Sequence, residues 1–447
     1  MTPQSELPPS PSGHPILGHA LDFARDPFAL IDRATDECGD CYRMTFPSAE
    51  ICVLAHPEHF RQALVTDVDS FGKTADYQRA FGNGLLSTEG DQWRRQRNVL
   101  QPLFHGDRID GYADKMVEAT QRRIGTWEAG EVRDLESEMQ DLTFEILFAT
   151  LFGRDLAPGE GADLRAASDG LNKWFVSTSW LLPNWIPTPA RRTFNQSSER
   201  LREETQRLLA KYEAEAEQST ASDLENETVL SKLQDAQKQG HLSKEEVEGQ
   251  MVTMLFAGYE TTAATLGFAW YALAKNPALR DAFHDELEAV LGGEPPSQET
   301  IGELDLTRRI VTETLRLYPP VHTIPRQTTR EIEIDGYCLP ANEEVHLSVI
   351  AAHRDERFYD DPLSFRPERW QQQSIEERHD FAYIPFGGGR RTCIGREFAR
   401  LEAMVVLATI GQQWSPEWTK GDSTVTLDPA ITIQAKDGLP MRLQQRS

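Results

Sequence analysis

Residues 252–274 run for 23 positions with a single charged side chain, Glu260. A stretch so long and so apolar either crosses a membrane or lies at the centre of a large core, because both settings remove water from its whole circumference. Near its middle, Gly258-Tyr259-Glu260-Thr261-Thr262 places a carboxylate and two hydroxyls, which are costly in hydrocarbon. No second apolar span and no aromatic-and-basic flank accompanies it. A buried central helix is therefore expected, and no membrane span. Ser243 with Glu246 has the capping-box pattern that opens such a helix, and Asn276-Pro277 starts the next one. Helix over 243–275 reaches ~48 Å, the width of a whole domain.

Around that helix the 447 residues show no internal repeat and no low-complexity block. The polar stretch 217–228 reads as a surface loop rather than a domain boundary. Strand signals are short. Residues 42–46 and 50–54 flank Pro47-Ser48 as a hairpin, 332–334 alternates with 344–350 as a nearby partner, and 431–435 and 440–443 flank Asp437-Gly438. The expectation is one mainly α domain over 1–447, with small β-sheets at its edge and a Pro-rich lead-in over 1–20.

Charge narrows the partners. Asp and Glu number 71 against 46 Lys and Arg, a formal net charge of −25, which disfavours nucleic acid and anionic membranes. Only ten of the 46 cations are Lys, a composition suited to solubility at high salt and equally to an ordinary acidic bacterial enzyme. Residues 1–18 lack a basic patch followed by an apolar run, and the five cysteines are an odd, sparse set. A cytoplasmic, reducing compartment is expected rather than a disulfide framework. Cys38-Gly39-Asp40-Cys41 has metal or redox spacing but no second pair to complete a site, and His56 with His59 is expected to be exposed.

The chemistry concentrates in residues 383–395, YIPFGGGRRTCIG. Three successive glycines let the backbone take positive φ and approach a flat object closely. Residues 396–411 read as a helix, so Cys393 sits at a helix start, where free N–H groups and the positive dipole end favour thiolate over thiol. A shielded thiolate suits a soft or redox-active metal.

The spacing of Phe386, Gly389, Arg391, Cys393 and Gly395 resembles the haem-binding signature of the cytochrome P-450 family, matching all five of its defining positions. The resemblance implies a single triangular helical domain, with haem b buried between the central helix of 243–275 and the Cys loop and helix of 383–411. Cys393 would be the thiolate ligand of the iron. Other motifs follow in family order. Ala257-Gly258-Tyr259-Glu260-Thr261-Thr262 matches the acid-alcohol pair on the oxygen side, which makes Glu260 and Thr261 the implied catalytic pair for proton delivery. Glu313 and Arg316 match a Glu-x-x-Arg helix whose third member is Arg369, although Trp370 follows where Phe is usual. Trp93, Arg97, Arg326 and Arg391 match propionate ligands, for which the forked guanidinium is suited. The same resemblance puts Leu85, Leu86, Phe104, Ala257, Gly258, Thr262, Ile324, Pro385, Phe386, Gly387, Ile394, Gly395 and Ala399 around the cofactor, with His322 in the substrate pocket and Trp174, Phe175 and residues 180–189 in its access region.

The implied activity is a monooxygenase that inserts one oxygen atom from O2 into a hydrophobic substrate, fatty acid or terpenoid-like. No electron-carrying domain follows Ser447, so a ferredoxin or flavodoxin with its reductase is the expected donor of electrons to a monomeric enzyme. Arg94, Arg95, Arg390, Arg396 and Arg400 would form its positive docking face. A peroxide-driven peroxygenase and a non-enzymatic haem sensor are the alternatives; neither needs the acid-alcohol pair.

Overall fold

A computed structural model describes residues 6–174, 186–216, 228–371 and 378–446. The loop at 217–227, residue Phe175 and most of 180–189 lie outside them. Helices dominate, and small sheets sit at the edge, as the patterning predicts. The hairpin is present as Cys41–Phe46 paired antiparallel with Ala49–Leu54. It belongs to a five-stranded sheet that continues through Glu344–Ser348 and Thr323–Thr328 to Phe71–Gly72.

Three pairings differ from expectation. Ile332–Ile334 pairs with Tyr337–Leu339, not with the strand at 344–348, which is drawn into the larger sheet beside Ala49–Leu54. Ile433–Ala435 and Pro440–Gln445 do not form a hairpin. The first pairs with Leu427–Pro429, the second with Trp414–Trp418 and Val132–Asp134. Two of these pairings are more local than expected, whereas Pro440–Gln445 takes a partner distant in sequence, Val132–Asp134, which no local pattern reports. His56 and His59 are not exposed: His56 caps the helix Pro57–Arg61 through its ring nitrogen, and His59 is buried 3.9 Å from Asp335.

The central helix is two helices, Lys244–Ala257 and Glu260–Lys275, interrupted at Gly258-Tyr259. Its start carries the expected capping box, with the Ser243 amide donating to Glu246 Oε2 at 2.8 Å. Glu246 also accepts from Arg95, Gln92 and Gln96, which ties this end to the helix Gly90–Leu100. At the break, Thr143 of the helix Leu135–Leu151 donates to the Tyr259 carbonyl at 3.0 Å, so an oxygen next to the interruption keeps a partner. Among the described residues no helix is long and apolar enough to cross a membrane.

A second fixed point is Glu313, with no exposed surface, on the helix Asp305–Leu317. It accepts from Arg316 through both carboxylate oxygens (2.8 and 2.9 Å), from Arg369 (2.9 Å), from the Arg366 amide (2.9 Å) and from Trp370 Nε1 (2.8 Å). Trp370, where the resembling family has Phe, supplies a hydrogen bond that Phe lacks. Arg316 passes on to the carbonyls of His353 and Pro362. Burial pushes His353 down to about 3, so the ring is neutral. Its Nδ1–H donates to the Arg316 carbonyl, and its Nε2 accepts from the Ile384 amide at 2.9 Å. The chain entering the Cys393 loop thus hangs on this network. Arg369→Ala leaves a buried carboxylate short of a partner and is expected to cost ~3–5 kcal/mol. Trp370→Phe removes one neutral donor and is expected to cost only about 1 kcal/mol. Urea unfolding of both variants checks the ranking.

Candidate functional site

Cys393 follows a tight turn. Gly389 holds φ +62°, and a Cβ there would stand 2.1 Å from the Leu64 carbonyl oxygen, so only glycine fits. The Cys393 amide donates to Phe386 O at 2.9 Å, and Gly395 caps the following helix, Arg396–Gln413. The sulfur is open toward an internal cavity but enclosed by protein on every larger scale. Burial raises its thiol above the ordinary value, while the Gly395 amide, Arg97 and Arg396 pull it down. The helix start therefore acts in the direction the sequence suggests but is outweighed by desolvation. A coordinated metal would favour the thiolate.

The cavity holds about 290 Å3 and lies between the Cys393 loop and the two central helices. Every residue that the sequence places around a cofactor borders it, from Leu85 to Ala399. Two residues expected at the site in other roles do not border it. Glu260, one of the expected catalytic pair, points to the flank of the helix, because consecutive helical residues are about 100° apart. His322 turns away from the pocket, its Nε2 set against the Ala430 carbonyl at 3.0 Å and its ring edge-on to Phe28. Trp174, expected in the access region, packs in the core beside Phe194, with Arg79 over its ring.

One edge of the cavity is crowded with cations. Arg97 donates to Thr392 O (3.0 Å) and Arg391 to Thr88 O (2.7 Å), both over the ring of Trp93. Among the described residues Arg326 donates only to the carbonyl of its neighbour Pro325, at 2.9 Å. Burial lowers all three, Arg391 to about 10. Lys73, which no sequence motif marked, completes the group. Burial and repulsion from Arg326 and Arg391 hold it well below its ordinary value, with Glu89 the carboxylate facing it. Four cations, Arg326 buried and the others half-buried, set against one carboxylate need further negative charge, and a flat ligand with two carboxylates supplies it. Haem fits this site on its charge as well as on its cysteine.

Thr261 lines the cavity and donates to the Ala257 carbonyl at 3.1 Å, beside the helix break. Glu260 is 1% exposed, and its Oε1 accepts from Asn172 Nδ2 and from Gln434 Nε2 (2.9 Å). Burial first, and then Asp169, push it up to about 8. It is an acid that keeps its proton near neutrality. The expected docking arginines are mostly engaged within the chain: Arg94 with Asp91, Arg95 with Glu246, Arg390 with Asp69 and Arg396 with Glu397, while Arg400 lies over the Phe386 ring. Four of the five are thus paired with a carboxylate of the chain itself.

Residues 8–438 match the family model of cytochrome P450. The chain is similar to cyclooctatin synthase of Streptomyces melanosporofaciens, 34% identical over 91% of this chain and 89% of that one. It is similar also to cyclooctat-9-en-7-ol 5-monooxygenase of the same organism, at 32% over 91% and 88%. Pentalenene oxygenase of Streptomyces avermitilis is 30% identical over 98% and 97%. Among solved structures the cytochrome P450DA haem domain superposes with a TM-score of 0.85 at 23% identity, over 99% of this chain and 98% of that one.

Glu402, on the helix after Cys393, has no exposed surface, and burial raises it well above the carboxylate range. A folded value above the unfolded one means stability that is full below about pH 4.5 and is lost as pH climbs toward the folded value. Glu402→Gln, which does not titrate, is therefore expected to gain Tm relative to the parent at pH 8 compared with pH 5. Paired thermal melts at the two pH values read this directly.

Proposed function

This chain belongs to the cytochrome P450 family, and from that premise we propose that Cys393 ligates the iron of haem b beneath a pocket that takes a terpenoid-like substrate. The protein is an oxidoreductase, a haem-dependent monooxygenase acting on hydrophobic substrates. When bound, haem with its thiolate supplies the oxygen activation. The protein's residues do the rest. The Gly395 amide, Arg97 and Arg396 would steady Cys393 as the thiolate when haem is bound. Lys73, Arg97, Arg326 and Arg391 take the propionates, with Trp93 packed beneath two of them. Thr261 presents a hydroxyl to the oxygen side, and Glu260 stores a proton one residue away.

The observation that carries this reading is that Cys393 and Thr261 border one apolar cavity whose charged lining is confined to that single cationic edge. Phe81, Leu86, Leu151, Met254, Val321 and Ile431 make up much of the remaining wall and exclude water. With the cations committed to propionates, no described lining residue remains to pair a fatty-acid carboxylate. A ring hydrocarbon or its alcohol fits better, in keeping with the substrates named for two of the relatives. Electrons come from a separate ferredoxin or flavodoxin with its reductase.

The carbon-monoxide difference spectrum of the reduced protein is the test. The parent is expected to show the red-shifted thiolate band and Cys393→Ala to lose it. Arg326→Leu is expected to keep the band while binding haem about tenfold more weakly, since one charge-assisted bond is lost. A cyclic terpene alcohol is expected to shift the spin state where a long-chain fatty acid does not; the opposite result overturns the substrate assignment.

A further inference from the structure

Glu260 has no described cation beside it; its partners are neutral amides and further acids. Its two hydrogen-bond donors both land on Oε1, so the acid proton belongs on Oε2. One of those donors, Gln434, lies on the strand Ile433–Ala435. The next residue, Ala435, donates its amide to Oε1 of Glu136 at 2.8 Å. Adjacent residues of one strand therefore hold two carboxyls, one on the helix Leu135–Leu151 and one on the helix Glu260–Lys275. The two are graded in depth. Glu136 is 9% exposed and Glu260 1%. Farther out, Asp428 is exposed and pairs across the strands with Gln434. Asp428 is thus exposed and Gln434 half-buried, while Glu136 and Glu260 are buried, Glu260 the deeper of the two.

We propose that Glu136 is the outer acid of a proton line that ends on Glu260, with Gln434 and Asn172 as positioning residues for the inner carboxyl. The proposal rests on the monooxygenase reading above, which needs protons on the oxygen side. Each transfer balances: protonated Glu136 gives its proton to ionised Glu260, becomes a carboxylate, and is reprotonated from water. Both acids hold protons near neutrality. Burial pushes Glu136 up to about 7, with Asp134 and Asp428 adding to it, and Glu260 up to about 8, with Asp169 and Glu136 adding to it. Tyr259, beside Glu260, donates to Asp169 and keeps its own proton. A neighbouring group thus reprotonates each carboxyl without a full charge being carried through the core.

The test uses full-length, haem-loaded enzyme with its electron donor and a substrate that shifts its spectrum, reading product and peroxide per electron between pH 6 and 9. Glu136→Gln is expected to bind carbon monoxide and substrate as the parent does. Its product yield should fall about tenfold, less than the ~10²-fold typical of losing a positioned acid, because water partly replaces an outer station. Peroxide release should rise, and Glu136→Asp should restore most of the yield, which a merely structural role would not predict. In a line, Glu136→Gln/Glu260→Gln is no worse than Glu260→Gln alone. An unchanged yield and pH profile in Glu136→Gln, or single losses that multiply in the double variant, overturns the proposal. Should Glu136→Gln fail to hold haem, Gln434→Met carries the same test. Losing a donor to the carboxylate should move the pH midpoint upward with a lower yield, and an unmoved midpoint overturns the proposal. Failure of the monooxygenase reading is distinguishable, since the parent itself would then lack the thiolate band or form no product.

Discussion

The reactive cysteine is placed by a carboxylate that never touches it. Glu313, wholly buried, gathers Arg316, Arg369, Trp370 and the Arg366 amide, and Arg316 and His353 carry that constraint to the Ile384 amide at the mouth of the Cys393 loop. A buried ion pair is weak as a source of stability, because desolvation offsets most of its attraction. Its geometry is demanding, however, and it adds directional anchoring to a loop whose glycines pack against Leu64 and Phe381 but carry no side chains of their own. The network contributes definition where hydrophobic burial does not.

Around the cavity the ionisable groups are sorted by sign. Cations gather at one edge, where Lys73 and Arg391 are held below their ordinary values. Acids gather on the far flank of the central helix, where Glu136 and Glu260 are held above theirs. Each set is unfavourable by itself and is relieved by what the site handles, anionic propionates on one side and protons on the other. The helix break at Gly258-Tyr259 separates these functions, turning Thr261 to the cavity and Glu260 to the acids.

Much of this was legible in the residues. The Cys loop, the central apolar stretch and the Glu313 motif are local patterns, and a local pattern survives folding when its spacing matches a turn or a helix; the cofactor-lining positions came through the family resemblance those patterns carry. Lys73 was not legible, since a lone lysine in a short turn has no periodicity, and only its depth makes it notable. Gln434 was hidden for the same reason. The C-terminal strands were misread as a hairpin because Asp437-Gly438 is a good turn signal, while the true partners, at 132–134, 414–418 and 427–429, include segments some 300 residues away.

What the sequence alone determined was the chemistry on offer: a cysteine at a helix start among glycines, a hydroxyl and an acid in an apolar helix, and arginines that the family resemblance assigns to carboxylates. What only the tertiary structure decided was how each group behaves. Desolvation and the company of distant charges set whether Cys393 keeps its proton, whether Glu260 faces the cavity, and whether the arginines near the Cys loop remain unopposed. Those quantities depend on the three-dimensional neighbourhood, which local spacing along the chain does not encode.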